Sequence, residues 1–361
     1  MPKGKLKVAI VTGPTGGHFF PGLAIGEGLV ETGQVTAVFF VPRRKYLTVW
    51  LERKGFRHHF IPEVRLSMKN VLFPFKFLYA FFRACLFLSG GKFEGVVITG
   101  SYATVPFLLS AKLYGVRIFV HEQNFLPGKV TKLSALIADC IALTFPCYSG
   151  LPKKRCVVTG FPIISDFRQK YQRDEILGEF GLRPENITAL VLGGSQGAVF
   201  LNEMITCNLG FLKDRKIQFL HLAGKDKDRV AAGYAVSGVA AKVFDFFFDM
   251  AKLYSAADIV ICRAGAGTLA EVSDRQLPAI VIPYPHAGGH QKYNASYFAE
   301  RKSCKMVEQS MENLRKFPSL FAEALEELQE LKENMSRVSI SDSRGENVNR
   351  IMELLNEEKL S

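Results

Sequence analysis

Short apolar runs, glycine-bearing turns and stretches of helical period follow one another along the whole chain. Lys5 to Thr12 (KLKVAIVT) is apolar without strict alternation, which predicts a strand buried on both faces. Gly13-Pro14-Thr15-Gly16-Gly17-His18 then turns the chain into a helical stretch from about Pro21 to Glu31. The design restarts at Thr188 to Leu192, with the loop Gly193-Gly194-Ser195-Gln196-Gly197 and a helix over Ala198 to Leu209. Further buried strands are predicted at 36–41, 95–99, 116–121, 156–159, 217–222, 258–262 and 279–283. Two strand–glycine loop–helix openings predict an α/β chain with two doubly wound, Rossmann-like parallel sheets. The boundary falls at Gly160-Phe161-Pro162, giving domains over 1–162 and 163–339 and a last helix over 340–361, after a polar break at Ser339 to Gly345. Two such domains facing each other are expected to leave a central cleft at the carboxyl ends of their strands.

With 48% apolar and 22% charged residues among 361, the chain can bury real cores, which excludes disorder as its main state. Seven scattered cysteines, never in a Cys-x-x-Cys pair, exclude a disulfide-stapled scaffold and read as thiols of a reducing compartment. The basic opening residues are expected not to be a targeting signal, because the apolar run Val8 to Val11 is too short.

The net charge of +12 has a geography. Residues 1–165 carry 21 Lys and Arg against 7 Asp and Glu, a net +14, whereas residues 166–361 carry 25 against 27, a net −2. A basic half suits nucleic acid, an anionic membrane surface or a phosphorylated substrate. Nucleic acid is set aside: there is no zinc-finger spacing or RNP-type motif, and the aromatics cluster with leucines. That cluster, residues 71–89 (VLFPFKFLYAFFRACLFLS), is interrupted only by Pro74, Lys76 and Arg83 among its apolar positions. Those three residues argue against a spanning helix. A core helix with snorkelling cations competes with an interfacial segment whose aromatics enter one leaflet, and the basic half favours the second.

Both glycine loops offer backbone N–H groups and the positive end of a helix dipole, which suits phosphate. Neither has G-x-G-x-x-G or Walker spacing, so each alone also fits a tight turn. His18 ends the first loop, as a proton acceptor near neutral pH or as a packing residue at the helix start. His121-Glu122-Gln123-Asn124 follows a strand, for ligand contact or as a hydrogen-bonded turn. Arg263-Ala-Gly-Ala-Gly-Thr268-Leu-Ala-Glu271 lets a ligand approach the backbone, with Thr268 suited to phosphate and Glu271 to vicinal hydroxyls. The last cluster is His286-Ala-Gly-Gly-His290-Gln291-Lys-Tyr-Asn294. Asp226-Lys227-Asp228 has a metal-binding spacing, but its basic flanks predict a solvated turn. The phenylalanines of 244–250 predict core, with one able to stack on a base.

The series GPTGGHFFPGLAIGEGL, HEQN…G, GGSQGA, CRAGAGTLAE and HQKYNA, in this order over residues 13–295, resembles the MurG family. These are peripheral-membrane glycosyltransferases of peptidoglycan synthesis with the two-domain GT-B architecture. The resemblance implies inverting transfer of GlcNAc from UDP-GlcNAc to the C4 hydroxyl of MurNAc in undecaprenyl-pyrophosphoryl-MurNAc-pentapeptide (lipid I), forming lipid II. It implies that the first half binds lipid I and an anionic membrane surface, the second half binds the donor, and the last helix packs back on the first domain. It further implies peripheral attachment at the cytoplasmic face of the bacterial membrane, and no cofactor or metal besides the donor substrate. Residue by residue, it implies that His18 is the general base, with Glu122 the second candidate, and that Thr15, Gly16 and Gly17 face the donor. Asn124 matches a sugar contact, Ser195 a phosphate contact, and Phe247 the position whose backbone meets uracil. Ala266, Gly267, Thr268, Leu269, Ala270 and Glu271 match the segment on the diphosphate and ribose, with Glu271 on the ribose hydroxyls. Gln291 matches a GlcNAc contact, with His290 beside it.

Two positions depart from the family pattern. Pro14 replaces a glycine common in the first loop, and Ile164 follows Gly-x-Pro where a donor-contacting arginine is usual, leaving Arg168 as the substitute. The competing readings are another GT-B transferase, against which His-Glu-Gln-Asn argues, and a UDP-GlcNAc 2-epimerase, which needs no membrane patch. A non-enzymatic, sugar-nucleotide-binding membrane subunit would follow if Ile164 abolished donor binding.

Overall fold

The structure, a computed structural model, describes residues 5–63, 73–193, 198–213, 215–285, 289–342 and 345–357. The chain forms two compact units, one over Met1–Ile164 with Asp342–Ser361 and one over Ser165–Ser341.

The first unit carries strands β1 (Leu6–Val11), β2 (Val35–Pro42), β3 (Arg57–Ile61), β4 (Gly95–Ile98), β5 (Arg117–Glu122), β6 (Cys140–Leu143) and β7 (Cys156–Val158). They form one parallel sheet in the order β3-β2-β1-β4-β5-β6-β7. Ile10 lies between Phe39 and Val97 in register, so the centre of the sheet is apolar on both faces, as helix-covered parallel strands require. Period-two alternation divides these residues between two cores. Val8, Ile10 and Phe39 pack with Phe19, Leu23 and Ile351 on one face, while Ala9, Val11 and Phe40 pack with Ala84, Leu88 and Phe107 on the other.

The helix Glu346–Asn356 is part of the first of these cores, through Ile351 and Leu354. It seats in two glycine notches: a Cβ on Gly28 would meet Val348 at 2.6 Å, and one on Gly95 would meet Leu355 at 2.8 Å.

The second unit carries β8 (Ile187–Leu192), β9 (Ile217–Leu222), β10 (Ala241–Phe244), β11 (Ile259–Cys262), β12 (Ala279–Val281) and β13 (Lys305–Met306). Its parallel sheet has the order β10-β9-β8-β11-β12-β13. Strand order reverses beside β1 in the first sheet and beside β8 in the second, and at such switch points the loops part and open a crevice.

The first helix runs over Gly16–Glu31 and so starts ahead of the expected Pro21, which falls inside it. The ring costs one internal hydrogen bond, but the earlier start puts Gly16, Gly17 and His18 in the first turn. The stretch 198–209 forms two helices, Val199–Thr206 and Leu209–Leu212, instead of one.

The aromatic segment forms the helix Phe73–Gly91, with Val71 and Leu72 outside the described residues. Ala80, Ala84 and Leu88 face inward. Phe75 and Leu86 are 69% and 70% exposed, and Leu78, Tyr79 and Phe82 are exposed with them. Among the described residues, this one helix is long and apolar enough to cross a membrane, with mean hydropathy 1.2.

Candidate functional site

At the first switch point, the loops after β1 and β4 meet around one imidazole. His18 Nδ1 lies 2.7 Å from the Thr99 carbonyl, and Thr99 Oγ1 donates to the His18 carbonyl at 2.6 Å. A carbonyl oxygen only accepts, so Nδ1 carries the proton and the lone pair of neutral His18 sits on Nε2. Two glycines make room for the ring. A Cβ on Gly13 would come within 2.5 Å of Ser101 Cβ and 3.0 Å of His18 Cδ2, and one on Gly100 would lie 3.0 Å from the imidazole. Gly100 has φ +90° and Ser101 φ +75°, a conformation costly for serine that persists where surrounding structure imposes it. Burial lowers the His18 pKa from its ordinary 6.5, outweighing the Thr99 hydrogen bond, the Glu122 charge and Gln123, all of which raise it.

Thr15 is the N-cap residue of the helix Gly16–Glu31, and its carbonyl accepts from the His18 and Phe19 N–H groups. The N–H groups of Gly16 and Gly17 therefore stand at the helix end with no intrahelical acceptor, as the first residues of a helix must. Thr15 and Gly17 are exposed. Pro14 is fixed from outside the loop, its carbonyl accepting from the Tyr46 hydroxyl.

The four polar residues at the end of β5, His121 and Glu122 within the strand and Gln123 and Asn124 just past it, divide by role. His121, Glu122 and Gln123 are buried and Asn124 is half-buried. Glu122 is only 3% exposed. Its Oε1 accepts from the Asn124 N–H at 2.9 Å and from Asn124 Nδ2, and its Oε2 accepts from the Gly128 N–H at 2.9 Å and from the Thr131 hydroxyl. Both oxygens are thus engaged in holding the turn that presents Asn124.

At the second switch point, Ser195 and the rest of Gly194–Gly197 lie outside the described residues, as do residues 286–288. After β11, Gly265 caps the helix Ala266–Asp274, whose first turn holds Ala266, Gly267 and Thr268. Leu269 and Ala270 are buried behind them. Glu271 accepts from the buried Tyr254 hydroxyl at 2.8 Å. Burial raises its pKa to about 7, opposed by that hydrogen bond and by Arg275, and aided by Asp274.

Arg263 turns inward and donates to the Ile282 carbonyl at 3.1 Å. Asn294 Nδ2 donates to the Ala264 carbonyl at 3.1 Å, and Gln291 Oε1 accepts from the Tyr284 N–H at 2.9 Å. These two bonds tie the helix His290–Ala299 to the loops after β11 and β12. His290 Nδ1 is buried with no hydrogen-bond partner among the described residues. The Phe247 ring packs on Phe180 and Phe244, while Phe246 and Phe248 are exposed. Asp226 accepts from Asn202 at 3.0 Å and Arg229 at 3.1 Å, as a turn residue does. Ile164 packs against the first unit's core, and Arg168 is exposed in the short turn Ser165–Arg168.

Sequence reasoning overlooked the Thr99-Gly100-Ser101 loop, although a Gly-Ser pair directly after a predicted strand was a usable signal. Tyr254, behind Glu271, left no such trace.

Two family models match the chain: the glycosyltransferase family 28 N-terminal domain over residues 8–143 and the C-terminal domain over residues 188–353. The UDP-N-acetylglucosamine–N-acetylmuramyl-(pentapeptide) pyrophosphoryl-undecaprenol N-acetylglucosamine transferase of Protochlamydia amoebophila is 34% identical over 317 residues, 83% of this chain and 82% of that protein. The transferase of that name from Prochlorococcus marinus is 31% identical over 92% of this chain and 95% of its own length. Among solved structures, Acinetobacter baumannii MurG is similar with a TM-score of 0.77 at 26% identity, covering 97% of this chain and 99% of that one. A UDP-N-acetylglucosamine 2-epimerase reaches 0.68 at 16% identity over 97% and 95%, a likeness of fold alone. On these relatives and on its two doubly wound units, the chain belongs to the family of UDP-N-acetylglucosamine–N-acetylmuramyl-(pentapeptide) pyrophosphoryl-undecaprenol N-acetylglucosamine transferases, the MurG family of GT-B fold.

Proposed function

We propose that this chain moves GlcNAc from UDP-GlcNAc to the C4 hydroxyl of MurNAc in lipid I, with no cofactor beyond the donor, and that His18 is the base. The observation that carries the role of His18 is its tautomer: Nδ1 is committed to the Thr99 carbonyl, so Nε2 has the lone pair. The acceptor C4 oxygen attacks the anomeric carbon opposite the phosphate and its proton passes to Nε2. The bond from that carbon to the phosphate oxygen breaks, and UDP leaves with the electron pair. This gives inversion. The first turn of the helix Ala266–Asp274 suits the charge on the leaving diphosphate. Glu122 is assigned a structural role, since both its oxygens are occupied. The test is transfer of labelled GlcNAc to a short-chain lipid I analogue. Product establishes the reaction, whereas binding of UDP-GlcNAc without product refutes the acceptor.

Glu271 is proposed to accept from the ribose hydroxyls. A carboxylate accepts two such bonds better than a carboxylic acid, and burial pushes the pKa of this group up to about 7. Donor affinity is therefore expected to rise with pH through about 7 and to level off above it. Calorimetry across that range checks this, and a flat profile identical in Glu271→Gln would remove the assignment.

The exposed face of the helix Phe73–Gly91 is proposed to lie on an anionic membrane surface. Phe75, Leu78, Tyr79, Phe82 and Leu86 recur at helical spacing on that face. Ala80, Ala84 and Leu88 commit the opposite face to protein, which suits an interfacial helix better than a spanning one. At the helix end, Lys7, Arg57 and His59 line a cavity of about 200 Å³ together with Phe40, Phe87 and Phe93. The proposed side is cytoplasmic, in keeping with seven free cysteines. The protein is expected to sediment with phosphatidylglycerol vesicles and to be released by salt. Replacing Phe82 and Leu86 together by Glu should weaken binding by more than about tenfold, the scale of one buried apolar side chain. Wild type left in the supernatant with anionic vesicles would end this reading.

A further inference from the structure

The Thr99 carbonyl serves two donors. His18 Nδ1 approaches it at 2.7 Å and Gln123 Nε2 at 2.9 Å. Gln123 is 4% exposed, so it is not placed for ligand contact as its position after β5 suggested. Its Nε2 also donates to the His121 carbonyl at 3.0 Å. The opposite amide orientation would set Oε1 against two carbonyl oxygens, so the geometry fixes which end is which.

Behind Gln123, the same logic fixes His121. Its Nε2 lies 3.1 Å from the Gly160 carbonyl, which only accepts, so Nε2 carries the proton and Nδ1 faces Gln123 Nε2 at 3.3 Å. The Gly160 carbonyl also accepts from Asn347 Nδ2 at 3.1 Å, and Asn347 Oδ1 accepts from the Thr159 hydroxyl at 3.0 Å. His121 and Asn347 are fully buried. A continuous chain of buried hydrogen bonds thus leads from the last helix through Asn347, Gly160, His121 and Gln123 to the Thr99 carbonyl and His18. Buried polar side chains are costly, and a chain of them rigidifies what it satisfies.

We propose that Gln123 is a positioning residue for His18: with His121 and Asn347 behind it, it holds the Thr99 carbonyl in place and so keeps the imidazole Nε2 directed at the acceptor. This rests on the reading of His18 as the base. Glu122 is the one charged group among those acting on the imidazole, and it is fixed by its own four hydrogen bonds. Removing Gln123 takes away one of the influences that raise the pKa of His18.

The test is a double-mutant cycle on GlcNAc transfer with Gln123→Leu and His18→Ala, followed against pH, with UDP-GlcNAc binding as the folding control. Gln123→Leu is expected to lower kcat by about 10²-fold, the scale of a misplaced reacting group. It should also move the acid limb of kcat/KM to lower pH. In the His18→Ala background the same substitution should cost nothing further, because its target is gone. Equal losses in both backgrounds, or an unmoved acid limb, would assign Gln123 to stability alone and overturn the proposal. If His18→Ala itself loses little activity, the base assignment fails and this inference falls with it. Should Gln123→Leu fail to bind donor, Asn347→Leu enters the same cycle with the same expected pattern, and additivity there refutes the relay.

Discussion

His18→Ala is expected to lower kcat/KM for GlcNAc transfer by about 10²–10⁴, the usual contribution of a positioned base, while UDP-GlcNAc binding is retained. The size follows from what is lost. Among the described residues, the other two titratable groups beside His18 are spoken for: Glu122 has both oxygens engaged, and His121 is fully buried with Nε2 donating to the Gly160 carbonyl. The pH dependence follows from the sign of the shift. Burial keeps the folded pKa of His18 below 6.5, so the neutral, base-competent form survives below that pH. The acid limb of the wild-type kcat/KM profile should accordingly fall below 6.5. Stability moves in a coupled way. Between the folded pKa and 6.5 the unfolded chain binds the proton that the folded chain refuses, so acidification through this window destabilises the protein. His18→Ala removes that contribution, and a melt of both proteins at two pH values measures it. A variant with near-wild-type turnover would hand the base role to another group.

Glu122→Ala is expected to act mainly on stability. The substitution leaves the Asn124 and Gly128 N–H groups and the Thr131 hydroxyl without their acceptor, in surroundings where Thr131 is 2% exposed. Each stranded donor costs about 1–3 kcal/mol, and partial access to water at the half-buried Asn124 and Gly128 lowers the sum to roughly 3 kcal/mol. For a unit of this size that is a fall in Tm of roughly 6–12 °C. Glu122→Gln should recover part of it, because its amide oxygen can still accept while its NH₂ group meets donors. Circular dichroism melts of both variants decide the matter. Unchanged melting with lost turnover would make Glu122 a participant in the chemistry and contradict the structural role.

The sequence carried the fold in its strand centres. Runs such as Val8–Val11 and Ala189–Leu192 are apolar on both faces because helices cover both faces of a parallel sheet. The strands that escaped the pattern are instructive. β3, β10 and β13 lie at sheet edges, where one side is solvated, and Arg57, His58 and His59 interrupt the apolar reading of β3. β6 is an interior strand, but the apolar run Ala135–Ala138 leads into it with only Asp139 between, so the pattern does not mark where it begins.

At the candidate site, the residue types were readable but the directions were not. The His-Glu-Gln-Asn run announced polar groups at a strand end, yet three of the four face the protein, because the Thr99 and Gly160 carbonyls come from distant segments and Glu122 is turned back onto its own turn by Asn124, Gly128 and Thr131. The first helix also began earlier than Pro21 advertised. Its start depends on Thr15 accepting from His18 and Phe19, which propensity does not encode.

The two glycine notches that receive Val348 and Leu355 have a consequence for synthesis. Residues near the end of the chain complete a core whose other members were made first, with the whole second unit emerging in between. During translation all seven strands of the first sheet emerge before Ser165, but the notches at Gly28 and Gly95 stay uncovered until Val348 and Leu355 arrive, whereas Ser165–Ser341 contains every element of its own unit and can fold complete on leaving the ribosome. The half that begins last is thus free to finish first.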